Sequence, residues 1–256
     1  MTDPAVERNA HQIRSAFRPL GGVAPIDART AVFTFVGAWL AAQIVSTIVL
    51  LVLGAGDTAD TTETSIAVLT AALVAGWACY LGGMWMASDR AGSGHPVDDY
   101  GITFEPIDVI GFGIGVLSQL VLVRVVYLPL EAIWPDTFTE DRLQENARSL
   151  VDRADGASMV LLFLVVVIGA PVVEELFYRG LVLRSLEKRR WPRWAVVVGS
   201  AALFAAMHFQ VLQFPGLFVF GVVLALMTLI TGRLGPAIWA HAGFNGATVV
   251  LLYTSR

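Results

Sequence analysis

The chain has 256 residues, of which 56% are hydrophobic and only 15% are charged. A water-soluble domain of this length carries about 25% charged residues, so the composition is typical of a membrane protein. The net charge of −4 implies no basic surface, and we expect no nucleic acid among the partners. The single Cys79 excludes an internal disulfide. One lysine against sixteen arginines suits a GC-rich genome, which favours a bacterial or archaeal cell membrane.

Apolar runs recur along most of the chain. A membrane-spanning helix needs about 20 predominantly apolar residues. The runs therefore predict an all-α fold, a polytopic transmembrane helical bundle of about seven spans. The predicted spans are residues 31–53, 65–87, 107–129, 158–183, 194–210, 214–231 and 235–253.

The segments outside these runs divide the chain simply. Residues 1–28 are polar and lack the apolar stretch of a signal peptide, which predicts a cytoplasmic N-terminal tail. Residues 29–256 then form one transmembrane domain. The longest loop is 131–157, where Thr137 and Glu140 fit a capping box and predict an amphipathic helix on the outer surface. We interpret that helix as a solvated loop helix.

Arginine and lysine in the short loops predict the orientation, because cytoplasmic loops carry the excess of basic residues. With the N-terminus in the cytoplasm, eleven basic residues lie inside and four lie outside. The inner set is Arg8, Arg14, Arg18, Arg29, Arg90, Arg184, Lys188, Arg189, Arg190, Arg193 and Arg233. The outer set is Arg142, Arg148, Arg153 and Arg256. The ratio favours a cytoplasmic N-terminus.

The fourth predicted span carries charges that are expensive in a membrane. A charged side chain at the centre of a span costs about 2.5–3.5 kcal/mol on insertion scales. Glu175 and Arg179 are four residues apart, so they share a helix face and can pair. Glu174 points about 100° away from Glu175 and is free for another partner. Pro171 deprives the carbonyl four residues earlier of its helical donor and tends to kink the helix.

Polar residues also recur in the fifth and seventh spans. Phe204 and His208 lie one turn apart, and His241 and Asn245 share one face. Glu174 and His208 each lie 17 residues from Trp191, where the two spans turn, so they should reach the same depth. His241 should lie shallower, unless the turn before the last span dips inward or the hairpin turn projects outward. A structural polar network explains any one of these residues, but the set together favours a functional site.

A carboxylate and an imidazole around a water molecule suit hydrolysis. Other intramembrane peptidase chemistries lack their signatures here: there is no Gly-x-Ser-Gly, no His-Glu-x-x-His and no pair of intramembrane aspartates. A transporter with a proton relay is an alternative, as is a non-enzymatic immunity or scaffold protein. All the intramembrane acids lie in one span with no mirrored second half, which disfavours transport.

Three short motifs follow one another in the C-terminal half. They are Glu174-Glu175-x-x-x-Arg179, Phe204-x-x-x-His208 and His241-x-x-x-Asn245. Together they resemble the signature of the CAAX-protease and bacteriocin-processing (CPBP) family, which includes Rce1-type prenyl-protein endopeptidases and Abi proteins. The resemblance covers about residues 158–253.

The resemblance implies an intramembrane endopeptidase with a water-filled cavity. Glu174 with His208 would activate water, and His241 with Asn245 would stabilise the oxyanion. The substrate would be a precursor peptide or a membrane protein, bound from the lipid bilayer. We expect the site to open toward the cytoplasm, on the side of the basic turn, residues 184–193.

The resemblance also implies supporting roles and leaves the metal open. Glu175, Arg179 and Phe204 would position the reacting groups. Zinc is the alternative cofactor, with Glu174 and the two histidines as ligands and one open position. We favour a glutamate-type mechanism without a cofactor, because each polar residue then has one role.

Overall fold

The computed structural model describes residues 26–55, 64–189 and 191–256. These residues form helices joined by short loops and contain no β-strand, which confirms the predicted all-α class. The helices are α1 (Ala28–Val52), α2 (Ile66–Ala91), α3 (Pro96–Tyr100), α4 (Pro106–Ile133), α5 (Glu140–Arg153), α6 (Gly156–Lys188), α7 (Arg193–Ala206), α8 (Phe214–Thr231) and α9 (Gly235–Thr254). Residues 1–25 of the predicted tail, with Arg8, Arg14 and Arg18, lie outside the described residues, as does Arg190.

Five of the described helices are long and apolar enough to cross a membrane, namely α1, α2, α4, α6 and α8. The chain is therefore an integral membrane protein, but the predicted count of seven spans is not confirmed. Helix α7 has 14 residues, or about 21 Å, which is shorter than the ~30 Å hydrocarbon layer. Helix α9 has 20 residues, but its polar and small residues lower its hydropathy.

Helix α5 closes the end of the bundle where the 131–157 loop was predicted to hold an amphipathic helix. Thr139 caps this helix and accepts a hydrogen bond from the Arg142 backbone N–H at 3.4 Å. The predicted capping box of Thr137 and Glu140 was wrong, because Glu140 is the first helical residue rather than the third. The Gln213 amide donates to the Leu143 carbonyl at 3.1 Å and ties α5 to the start of α8.

Glycines bring α4 and α9 into backbone contact. A Cβ atom added at Gly115 would overlap the carbonyl oxygen of Ala240. A Cβ atom at Gly243 would overlap the carbonyl oxygen of Phe112 in the same way. Small residues allow two helices to approach closely, and here they allow α4 and α9 to do so. The position of α9 is therefore set by its backbone contact with α4.

A buried ion pair fixes the turn before α9. Arg233 donates to Asp108 from Nη2 at 2.7 Å and from Nε at 3.0 Å. The adjacent Leu234 lies against Gly180 of α6. Helix α6 continues for another eight residues to Lys188, or about 12 Å. The hairpin turn after α6 thus projects beyond the turn before α9, which resolves the predicted mismatch in depth.

Candidate active site

Helix α6 changes its winding around the acidic residues. Leu164–Gly169 and Leu176–Leu183 are π-helical, and the α-helical stretch Ala170–Glu175 lies between them. Such π-helical turns inside helices occur frequently at functional sites. They change which residues of α6 lie on the same face. Glu174 and Glu175 are consecutive, point in different directions and contact different residues.

The predicted pair of Glu175 and Arg179 is confirmed. Arg179 Nη1 donates to Glu175 Oε1 at 2.8 Å, and both side chains are 0% exposed. Arg179 Nη2 also donates to the Gly221 carbonyl at 3.1 Å. The guanidinium carbon lies 4.5 Å from the ring centroid of Phe204, which is a cation–π contact. Arg179 therefore links α6 to α7 and α8.

Both predicted histidines face Glu174. His208 Nε2 and His241 Nε2 each lie 3.9 Å from Glu174 Oε2. The opposite ring nitrogen of His208 bonds the Phe204 carbonyl at 2.7 Å. The opposite ring nitrogen of His241 bonds Glu175 Oε1 at 2.9 Å. The structure thus brings together a carboxylate from α6, an imidazole that follows the end of α7 and an imidazole from α9.

The partners of the two Nδ1 atoms assign the tautomers. A carbonyl oxygen only accepts, so His208 Nδ1 carries the proton and the neutral ring presents a lone pair at Nε2. An ionised Glu175 also only accepts, so His241 carries its proton on Nδ1 and presents a lone pair at Nε2. Glu174 Oε2 is itself buried and has no hydrogen-bond partner among the described residues. Three hydrogen-bond acceptors, Glu174 Oε2 and the two Nε2 atoms, therefore lie near one another. A proton donor, such as water or a substrate, would satisfy them.

Asn245 lies one turn beyond His241 on α9. Its Nδ2 donates to the carbonyl of Val166 in α6 at 2.8 Å. One of its two amide hydrogens is thus engaged with the backbone, and the other is left for a ligand. The structure places Asn245 on the predicted face but gives it a partner that the sequence did not predict.

The zinc alternative was tested on the ligand geometry. Zinc holds oxygen and nitrogen ligands at about 2.0–2.2 Å, so two ligands of one tetrahedral ion lie roughly 3.4 Å apart. Both Nε2 atoms lie farther than this from Glu174 Oε2, at 3.9 Å. Among the residues that the structure describes, no three His, Cys, Asp or Glu side chains could hold a metal ion. The three candidate ligands lie farther apart here than zinc ligands do, and the cofactor stays a prediction.

The exposed side of the site adjoins the loop between α7 and α8, residues 207–213, here called the site loop. Glu174 is 28% exposed and His208 25%. Phe209 follows His208, is 70% exposed and has a φ of 53°, which is uncommon for a bulky residue. In the other direction, toward the basic turn, Leu181 and Leu183 are buried.

A groove of about 610 Å³ lies elsewhere, between α7 and α8. It is lined mostly by aliphatic residues of these helices, together with Arg193 and Trp194, and by none of the site residues. The predicted water-filled cavity at the site is therefore not confirmed and stays a prediction.

Other ion pairs lie outside the site. Arg124 donates to Glu131 at 2.7 Å. The pair of Asp108 and Arg233 was missed by sequence reasoning. A single aspartate in the first turn of an apolar span was the available signal, because a charge there needs a partner.

Comparison with known proteins gives one match. Residues 156–247 match a family model described as type II CAAX prenyl endopeptidase Rce1-like. No curated protein and no solved structure matches the chain. The family match confirms the resemblance seen in the three motifs. Residues 156–247, which carry every polar side chain of the site, are thus similar to the Rce1-like family, and this match points to a CAAX protease-type enzyme.

Proposed function

We propose that the chain is a glutamate-type intramembrane endopeptidase that hydrolyses peptide bonds of a membrane-associated or precursor peptide. The observation that carries the proposal is the buried, unpartnered Oε2 of Glu174, which faces two imidazole nitrogens at 3.9 Å. Buried polar atoms are almost always hydrogen-bonded. Glu175 Oε2 also lacks a partner, so the two imidazoles that face Glu174 Oε2, rather than the missing partner alone, carry the proposal.

The separation of 3.9 Å suits a shared water. It is too long for a direct hydrogen bond, and a polar contact of this length is one that a water molecule can bridge. Glu174 then takes a proton from this water as general base, and His208 Nε2 accepts its second hydrogen bond. The resulting hydroxide attacks the peptide carbonyl. Glu174 returns the proton to the leaving amine when the tetrahedral intermediate collapses.

The oxyanion needs donors, and α9 can supply them. His241 donates from Nε2 only in its doubly protonated form. The carboxylate of Glu175, 2.9 Å from Nδ1, stabilises the positive charge of that form. Asn245 has one amide hydrogen that is not used by Val166. Together these two residues would stabilise the charge that develops on the carbonyl oxygen.

Glu175 and Arg179 are proposed to hold the site rather than to react. Glu175 already binds both Arg179 and His241, and it is fully buried. Its Oε1 atom is therefore already occupied by both donors. The neighbouring Glu174 is the carboxylate that remains for proton transfer.

We propose that the substrate enters from the side of the site loop. The exposed side of Glu174 and His208 adjoins this loop, while the way to the basic turn is filled by buried leucines. With a cytoplasmic N-terminus, the site loop lies toward the outer face, opposite to the opening expected from the basic turn. Non-helical backbone at membrane depth is tolerated where it lines a water-filled cavity.

The alternative is a non-enzymatic immunity or scaffold protein with the same fold. Comparative membrane proteomics of cells with the wild-type chain and with Glu174→Gln separates the two functions. An endopeptidase gives peptide products that vanish in the variant while the variant still accumulates. Identical peptide profiles at equal accumulation would support the scaffold instead.

A further inference from the structure

The carbonyl of Val166 lacks a donor in its own helix. In the π-helical stretch of α6 an N–H bonds the carbonyl five residues earlier, and the Ala170 N–H donates to Val165 in this way. By the same pattern the Val166 carbonyl would receive the N–H of residue 171. That residue is Pro171, which has none. The carbonyl affected by the proline is thus five residues before it, rather than four as α-helical geometry predicted.

Asn245 supplies the missing donor from another helix. Its Nδ2 lies 2.8 Å from the Val166 oxygen. One turn earlier on α9, His241 bonds Glu175, which lies four residues after Pro171. Helix α9 therefore holds α6 on both sides of the proline. Glu174 lies between these two points of contact.

We propose that Asn245 is a positioning residue. Through the Val166 carbonyl it holds the part of α6 around Pro171 against α9 and so sets the distance from Glu174 to the two histidines. The inference rests on the proposed function only where activity is concerned, because the contact itself exists without a reaction. It assigns to Asn245 a role in addition to oxyanion binding and makes Pro171 its counterpart.

The relation between Asn245 and Pro171 gives a direct test. Asn245→Leu leaves the Val166 carbonyl without a donor and should lower the Tm of the purified full chain by about 5 °C. Pro171→Ala restores an N–H at residue 171, so adding Asn245→Leu to it should cost less than half of that shift. Thr248→Ala is the matched control, since Thr248 bonds only the Phe244 carbonyl of its own helix at 3.1 Å. Its effect should not depend on residue 171.

Activity and labelling then separate positioning from mere stability. With Glu174-dependent hydrolysis as readout, Asn245→Leu should lose at least tenfold. Pro171→Ala should recover the part of this loss that comes from positioning, but not the part that comes from the missing oxyanion donor. A double variant that regains its Tm but stays inactive would overturn the positioning role in favour of oxyanion binding alone. An equal loss of Tm in both backgrounds would overturn the contact as argued.

If the wild-type chain shows no hydrolysis, that result counts against the proposed function alone. A labelling experiment needs no substrate and still tests the positioning role. Glu174→Cys, made with Cys79→Ser, is labelled by 2-aminoethyl methanethiosulfonate in detergent. Asn245→Leu should change the labelling rate severalfold, and Pro171→Ala should reverse the change. A rate unaffected by Asn245→Leu would overturn the positioning inference.

Discussion

Two glutamates adjacent in sequence occupy opposite environments. Glu175 is fully buried and bonded to both Arg179 and His241. Glu174 is partly exposed, and its buried oxygen faces two histidines without a hydrogen bond. Because the backbone and the chemical group are the same, the difference comes only from what surrounds each side chain. One carboxylate holds helices together, and the other remains able to accept a proton.

The same substitution at the two positions should therefore have opposite effects. Glu174→Gln should lower hydrolysis by about 10²–10⁴-fold, because the amide cannot act as a base, while the Tm stays near wild type. Glu175→Gln should instead lower the Tm and the accumulated protein, since Arg179 loses its counter-charge. Assays of hydrolysis and thermal unfolding on both variants check this. Wild-type turnover by Glu174→Gln would refute its assignment as the base.

Arg179→Ala should show how much the buried ion pair of Glu175 and Arg179 stabilises the fold. Breaking a buried pair by removing one partner costs about 3–5 kcal/mol, because the other charge stays buried. Arg124→Ala is the control, since the Arg124 side chain is 59% exposed and its pair with Glu131 should contribute about 1 kcal/mol or less. Denaturant titration in micelles measures both. Equal stability of Arg179→Ala and wild type would mean that the pair does not support the fold.

The two histidines should differ in the same sense as the two glutamates. His208→Ala and His241→Ala should each lower hydrolysis by about 100-fold or more. His208→Ala should change the Tm little, because its Nδ1 bonds only the carbonyl of Phe204 one turn earlier. His241→Ala removes a partner of buried Glu175 and should lower the Tm. Indistinguishable melting curves for the two variants would remove this distinction.

Cysteine labelling should reveal which side of the membrane each end of α7 faces. Val211→Cys in the site loop and Arg189→Cys near the basic turn are both at exposed positions, and Cys79→Ser removes the native thiol. With a cytoplasmic N-terminus, a membrane-impermeant maleimide should label residue 211 in intact cells. It should label residue 189 only after lysis. The reverse pattern would invert the topology.

Chelation should have the smallest effect. We favour a shared water over a shared ion, because each polar residue of the site then has one role. We therefore expect hydrolysis to survive exhaustive treatment with a chelator. Elemental analysis of the purified chain provides the second measurement. About one zinc per chain, lost together with activity and restored by zinc alone, would replace the metal-free mechanism with its zinc version.

Local spacing was enough to predict the pair of Glu175 and Arg179, because residues four apart meet on any regular helix. Equal distances from the break at Trp191 were enough to bring Glu174 and His208 together. The bond between His241 and Glu175 was not predictable, since it joins residues 66 apart and depends on the contact of α9 with α6. Nor was the partner of Asn245, because sequence alone does not reveal where a helix becomes π-helical.

The number of membrane spans also could not be predicted from the sequence alone. Among the described residues, apolar runs located the five helices that are long and apolar enough to cross a membrane, namely α1, α2, α4, α6 and α8. The run 194–210 was predicted as a span, but the helix there stops at Ala206. His208 and Phe209 lie beyond its end, and apolar content alone does not distinguish helix from site loop. The orientation, substrate and metal content remain predictions.

The backbone contact between α4 and α9 has a consequence for how this chain tolerates sequence change. At Gly115 and Gly243 no side chain is available to adjust, so an added methyl group must displace a whole helix. His241 lies between Ala240, which contacts Gly115, and Gly243. Any such displacement is therefore carried directly to the imidazole. In a random mutational library, these two glycines should be as intolerant as Glu174, the proposed base, although neither would take part in the chemistry.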